Sequence, residues 1–370
     1  MEAANSVIQE PQKKQEELNE ENSKSLGNSP EDVLLDILSL LPTKEAVRTS
    51  LLSKRWGYLW ASMSNLVFDG SLPAKRTICF PNLKILTMEG VTFWDEDSIQ
   101  QLLSAPPLLE KLELYNCSWG DLKVVTISAP KLQYLSIREY RRRPPSHGDV
   151  CQVMIFGESL KEFYSRGLFG HYCLHNSVSL KKAGIFTYPN PSVQIAHRMY
   201  KLLAGLSNVQ FLQLSFAVVK VLVKNGEELL PQMPMFNNLM DLEFLGKLID
   251  LDCATLLALL QKFPCLKTLK FSEGISAEGD GILNPVPPCF LSQLKCIKID
   301  KYGGYYYELS AVKILLDNAI VLDEIVITCS EDFARDSELR KKFYKHLREL
   351  PKRSRNCKMV LKEPFPDFIL

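Results

Sequence analysis

The sequence has almost no net charge: 44 Lys and Arg stand against 43 Asp and Glu, leaving +1 over 370 residues. No global field therefore recruits nucleic acid or an acidic membrane. No apolar run approaches the length of a bilayer span. No signal peptide is expected. Residues 1–25 are polar, rich in Glu, Gln, Asn and Lys, and read as a disordered tail. The ten cysteines are scattered singly, without a C-x-x-C pair. They suit reduced core thiols of a cytoplasmic or nuclear protein. Walker, G-x-S-x-G and H-E-x-x-H patterns are all absent, so no catalytic or cofactor-binding residue is assigned. His171 and His175, with Cys173 between them, have metal-ligand spacing, but no second cluster supplies further ligands. No metal site is assigned.

What is present is leucine, at about one residue in six, well above ordinary usage. The length allows two or three domains and a sizeable core. Residues 30–62 carry three short helical patterns. In the first, Pro30 suits the opening position behind Ser29 as cap, Glu31 and Asp32 favour the positive helix end, and Val33, Leu34, Ile37, Leu38 and Leu41 form an apolar stripe. Pro42 stops that helix and Thr43 caps the next, which carries Ala46, Val47, Ser50 and Leu51. Ser53 can cap a third, with Trp56 and Trp60 four residues apart on one face. Beside Lys54 and Arg55, those tryptophans read as core anchors, as a base-stacking site, or as a helix held by a partner. Three short helices cannot bury much surface alone, so another surface must cover the module's apolar face.

The stretch "SPEDVLLDILSLLPTKEAVRTSLLSKRWGYLW" resembles the plant F-box. Pro30, Leu34, Ile37, Leu38, Leu41, Pro42, Thr43, Lys44, Ala46, Val47, Leu52, Ser53, Lys54, Arg55, Trp56, Leu59 and Trp60 match that family's pattern in order and spacing. The resemblance implies docking on the Skp-type adaptor of a cullin–RING ubiquitin ligase, with Pro30, Leu34, Ile37, Leu38, Leu41, Pro42, Val47 and Trp56 as contacts. It makes the tryptophans packing anchors and leaves nucleic acid an unlikely partner. The chain departs from the family at Ser29, where leucine is usual, and in having only ten residues between Asp69 and Phe80, where the family carries further strands.

From residue 80 an L-x-x-L-x-L element recurs in about ten copies at intervals of roughly 20–30 residues, the leucine-rich-repeat period. Clear copies include Leu83-Leu86-Met88, Leu109-Leu112-Leu114, Leu132-Leu135-Ile137 and Leu266-Leu269-Phe271; weaker ones are Leu160-Phe163 and Leu180-Ala183-Ile185. Alternation within each copy marks a short strand with one buried face. Helical patterns lie between several copies, at 95–107, 253–264 and 309–319. Units of this kind stack into a solenoid. A doubly wound sheet fits less well, because no Gly-rich phosphate loop follows any strand. Residues alternating with the buried leucines face outward and mix aromatics with both charges, which suits a protein surface. The target-binding candidates among them are Lys111, Tyr115, Tyr134, Arg138, Tyr164, Arg166 and Phe211.

Residues 289–361 read as strand, turn at Gly303-Gly304, helix, strand, amphipathic helix and last strand. Leu294-Lys295, Ile297, Ile299, Ala311-Val312-Lys313, Leu315-Leu316 and Leu322-Asp323-Glu324 make this segment resemble the FBD domain of plant F-box proteins. The basic run from Lys341 to Lys358 reads as a solvated helix face.

The expected fold is α/β: a three-helix F-box (26–70), a leucine-rich-repeat solenoid (80–290) and an FBD-type cap (291–370) behind the tail. The expected function is substrate recognition for a Skp–cullin–F-box ligase, without catalytic residues of its own. A leucine-rich-repeat interaction protein without ligase activity stays open as the alternative. Short loops argue against a small-molecule receptor.

Overall fold

The computed structural model describes residues 29–70, 78–140, 151–167, 171–187, 193–223, 226–279, 283–335 and 337–364. The tail expected at 1–25 lies outside these residues. Apolar alternation at period two dominates the chain and produces seventeen described strands. Twelve form one all-parallel sheet: β1 (Asn65–Asp69), β2 (Ile85–Glu89), β3 (Lys111–Tyr115), β5 (Tyr134–Arg138), β7 (Glu162–Arg166), β9 (Lys182–Phe186), β10 (Phe211–Ser215), β11 (Asp241–Leu245), β13 (Thr268–Phe271), β15 (Cys296–Tyr302), β16 (Glu324–Cys329) and β17 (Lys358–Lys362). Their spatial order is their chain order, with none of the order reversal of a doubly wound sheet.

Register explains why the leucine template repeats. Leu66, Leu86, Leu112, Leu135, Phe163, Ala183, Leu212, Leu242, Leu269, Ile297, Ile325 and Met359 stand side by side along one row of the sheet. Eleven of them are buried and Met359 is half-buried at the final strand. The leading residue of each repeat, from Leu83 to Leu322, is buried just ahead of its strand. Each apolar side chain thus covers its counterparts on neighbouring strands, and the core runs through the chain as one cluster.

The return paths differ along the molecule. Between β3 and β9 they are strands, β4 (Val124–Ile127), β6 (Gln152–Phe156) and β8 (His171–His175), which form a second parallel sheet. The sequence reading missed these three. They explain the His171, Cys173 and His175 spacing as residues alternating along β8. Among the described residues no group of three or more His, Cys, Asp or Glu could hold a metal ion. Further on, β12 (Ile249–Asp250) and β14 (Ile275–Ser276) pair briefly, and the returns are helices, chiefly 193–204, 216–223, 254–260 and 306–318. The helix expected across 95–107 is only Glu96–Ile99 followed by a wider turn, although Ile99, Leu102 and Leu103 are buried as the spacing implied.

The sheet runs unbroken from the repeats into the C-terminal segment, since β13 pairs with β15 in register. Gly304 closes the turn after β15 with φ +80°, and a Cβ there would meet the Phe333 ring at 2.3 Å. Phe333, Tyr302 and Phe343 meet edge-on and tilted, with ring centroids 4.5–5.6 Å apart. Helix Ser337–Glu349 buries Phe343 and Leu347, while exposed Lys341 pairs with Glu338 at 2.8 Å and half-buried Arg340 with Glu363 at 2.7 Å.

The N-terminal module has two α-helices, Glu31–Ser39 and Thr43–Arg48. A third α-helix is not present among the described residues: residues 54–58 are turns, and Leu59–Ser62 is a single 3-10 turn. Neither Ser29 nor Thr43 caps its helix through its side chain. The Ser29 carbonyl accepts a hydrogen bond from the Arg55 guanidinium. The Thr43 hydroxyl reaches across instead, and the Val67 N–H of edge strand β1 donates to it at 2.8 Å. Trp60 packs edge-on against Phe80, centroids 5.9 Å apart. The small module therefore shares the sheet's core, which supplies the covering surface it needs.

Candidate functional site

Two surfaces stand out, one on the helical module and one on the outward face of the sheet. Helix Glu31–Ser39 is apolar on two sides. Leu34 and Leu38, four apart, are both 0% exposed and face inward. Val33, Ile37 and Leu40, spaced four and three, form a second stripe that is exposed, half-buried and 84% exposed in turn. Leu51 and Leu52 add to it at 87% and 68% exposure, and Tyr58, Pro30, Leu41 and Pro42 are also exposed. Apolar side chains this bare within thirty residues are a mark of a docking surface.

The placement corrects part of the expected contact set. Leu34, Leu38 and Trp56 are buried within the chain and serve as anchors of the module, so a partner cannot reach them. Ile37 and Val47 are half-buried. Pro30, Leu41 and Pro42 are accessible. The sequence reading missed Val33, Leu40, Leu51, Leu52 and Tyr58 as accessible apolar residues, although the second stripe at i, i+4 and i+7 was readable.

On the sheet, Lys111, Tyr134, Glu162, Lys182, Phe211 and Asp241 form one cross-strand row, Tyr115, Arg138 and Arg166 form another, and Glu113, Ser136, Tyr164 and Gly184 form the row between them. All seven candidates therefore lie on one face. Ser136, expected to point outward, is covered: its hydroxyl accepts from Arg138 Nε at 3.2 Å, and the residue is fully buried. Lys111 lies 5.1 Å from the Tyr134 ring centroid, Arg138 5.2 Å from that of Tyr115, and Tyr134 and Tyr164 touch at 5.6 Å. Gly184 makes room for this layer, since a Cβ there would stand 2.6 Å from the Tyr164 ring. Burial pushes the Tyr164 hydroxyl up to about 12, and the Glu162 carboxylate adds to it. Tyr164 stays a donor at neutral pH, to Glu162 at 3.3 Å.

Charges along this face are compensated unevenly. Glu113 is met by Lys111 at 3.2 Å and Glu162 by Lys182 at 3.1 Å. Further along, Lys270 bridges Glu243 at 3.0 Å and Asp300 at 3.2 Å, and Gln213 and Ser272 also donate to Glu243. Burial alone would raise Glu243, but the bonds from Ser272, Gln213 and Lys270 outweigh it and hold the carboxyl below the ordinary glutamate value. A lowered value means that the charged form stabilises the fold above the ordinary range, and this contribution is lost as pH falls through the lowered one. Glu243→Gln is expected to flatten the stability loss between about pH 5 and 3 in urea titrations; an unchanged acid limb contradicts the network. Arg138 and Arg166, adjacent in register, form no ion pair among the described residues.

Comparison with known proteins agrees with this geometry. Residues 30–68 match the F-box domain, and residues 284–327 match the FBD. The first match ends on β1, and the second spans β15 to β16. An F-box/FBD/LRR-repeat protein of Arabidopsis thaliana is 23% identical over 406 positions, covering 82% of this chain and 91% of that protein. Another is 25% identical over 443 positions, with 91% and 93% covered. An F-box/LRR-repeat protein of the same plant is 27% identical over 391 positions, with 82% and 89% covered. The chain thus carries an F-box domain and an FBD joined by one parallel sheet, and along most of its length it is similar to plant F-box/FBD/LRR-repeat proteins.

Proposed function

We propose that this chain is the substrate-recognition subunit of a Skp–cullin–F-box ubiquitin ligase. The observation that carries the reading is the coincidence of the F-box match at 30–68 with exposed Leu40, Leu51 and Leu52. F-box domains serve in general as the adaptor-binding part of such ligases. The accessible apolar residues, with Pro30, Ile37, Leu41, Pro42 and Val47, form the adaptor contact. The remaining strands form a leucine-rich-repeat array, closed by the FBD segment, whose outward face holds a target protein. Strand order equal to chain order and the recurring leucine row support that array. The subunit is non-catalytic. It raises the effective concentration of the target beside a charged ubiquitin carrier, in the cytoplasm or nucleus. Among the described residues no helix is long and apolar enough to cross a membrane.

Mixing the purified chain with a Skp-type adaptor and measuring mass by light scattering tests the reading. A single 1:1 complex is expected. Two separate species at micromolar concentration would overturn it and leave a repeat interaction protein without a ligase link.

A further inference from the structure

Along the C-terminal ends of five neighbouring parallel strands, β5, β7, β9, β10 and β11, Arg138, Arg166 and Lys247 gather without an ion pair among the described residues. Arg138 closes β5 and Arg166 closes β7, directly beside it in register. Beyond them opens a cavity of about 290 Å³ walled by Phe186 and Phe216 and ringed by Arg166, Lys220 and Lys247. Among the described residues no carboxylate lines it, and none of the three cations forms an ion pair. Arg166 lies 5.3 Å from the Phe186 ring centroid, and Lys220 5.3 Å from that of Phe216. The acid nearest in sequence to Arg138, Glu139, is buried and accepts the Tyr172 hydroxyl. Elsewhere on the face Glu113, Glu162, Glu243 and Asp300 each have a cationic partner, so the unpaired cations are local to this end.

We infer that this strip and its cavity hold an acidic segment of the target protein, with an apolar side chain between Phe186 and Phe216 and flanking carboxylates on Lys220, Lys247 and Arg166. Like charges one strand apart, about 4.8 Å, repel unless an anion lies on them. The dimensions suit a peptide. Five strands span about 19 Å, the reach of about six extended residues. A small acid filling the cavity would leave Arg138 uncovered. This inference rests on the target-recognition reading and names the target's chemistry.

The test is selection of a random peptide library on the full-length chain, followed by affinity measurement on the charge-reversed Lys220→Glu, Lys247→Glu variant. Both lysines are exposed, and unfolding temperature checks that the variant folds. Selected peptides are expected to place Asp or Glu beside an aromatic or aliphatic residue, to weaken with salt, and to lose at least tenfold affinity on the variant. Peptides without acidic preference, affinity unchanged by the reversal, or no selected peptide would each overturn it. Benzoate binding in place of any peptide would likewise overturn it in favour of a small-acid occupant. Adaptor binding by the same samples is read separately. Its absence from the unsubstituted chain would remove the ligase reading, while the selection still decides the strip.

Discussion

Leu51→Asp together with Leu52→Asp is expected to weaken capture of a Skp-type adaptor by about a hundredfold or more, with stability nearly unchanged. Truncation or charging of central interface residues typically costs 2 kcal/mol or more apiece, and two such losses correspond to a factor near a thousand. Both side chains are largely exposed at 87% and 68%, and surface substitutions usually move stability within about 0.5 kcal/mol. Leu38→Asp is the instructive contrast. Its carboxylate would enter a site with no exposure, unpaired, and the module would unfold or neutralise it. Binding is lost in both variants, but only the second loses its folded signal. Titration calorimetry beside a circular dichroism melt separates them. Undiminished binding by the Leu51, Leu52 variant would remove these residues from the contact.

The second large effect is on stability. Trp60→Ala is expected to cost about 3–5 kcal/mol, the usual range for emptying a buried aromatic site. Trp60 is 6% exposed, and its ring rests on Phe80, across the join between the helical module and the second strand. The segment around it is a short turn, which has little hydrogen bonding of its own to hold it once the ring is gone. The loss should appear in urea unfolding followed by circular dichroism. A shift below 1 kcal/mol would mean that the module is held to the sheet elsewhere.

Much of this fold was readable because it is repetitive. Each L-x-x-L-x-L copy fell on a strand of the main sheet, from Leu83 before β2 to Leu322 before β16. Even Ala183, a weak copy by residue type, sits in the buried row beside Phe163 and Leu212. What escaped was the back of the molecule. Val124–Ile127, Gln152–Phe156 and His171–His175 carry no leucine template, and their pairing is decided by neighbours many residues away. The third helix failed for a related reason. Trp56 and Trp60 have helical spacing, but the core they enter is built by the first helix and β1, and turns place both rings there as well as a helix could. The residues proposed to meet the adaptor illustrate a further limit. A family motif records which side chains are needed without separating the buried from the presented, so Leu38 and Leu52 look alike in sequence while one is 0% and the other 68% exposed.

Hydrogen exchange of the full chain, alone and with a purified Skp-type adaptor, addresses the central claim most directly. Amides of residues 30–62 should slow on addition of the adaptor, while those of β5, β7, β9 and β11, with their outward face left free for a target, should exchange as before. Protection spread over those strands, or none within 30–62, would contradict the division of labour between the helical module and the sheet.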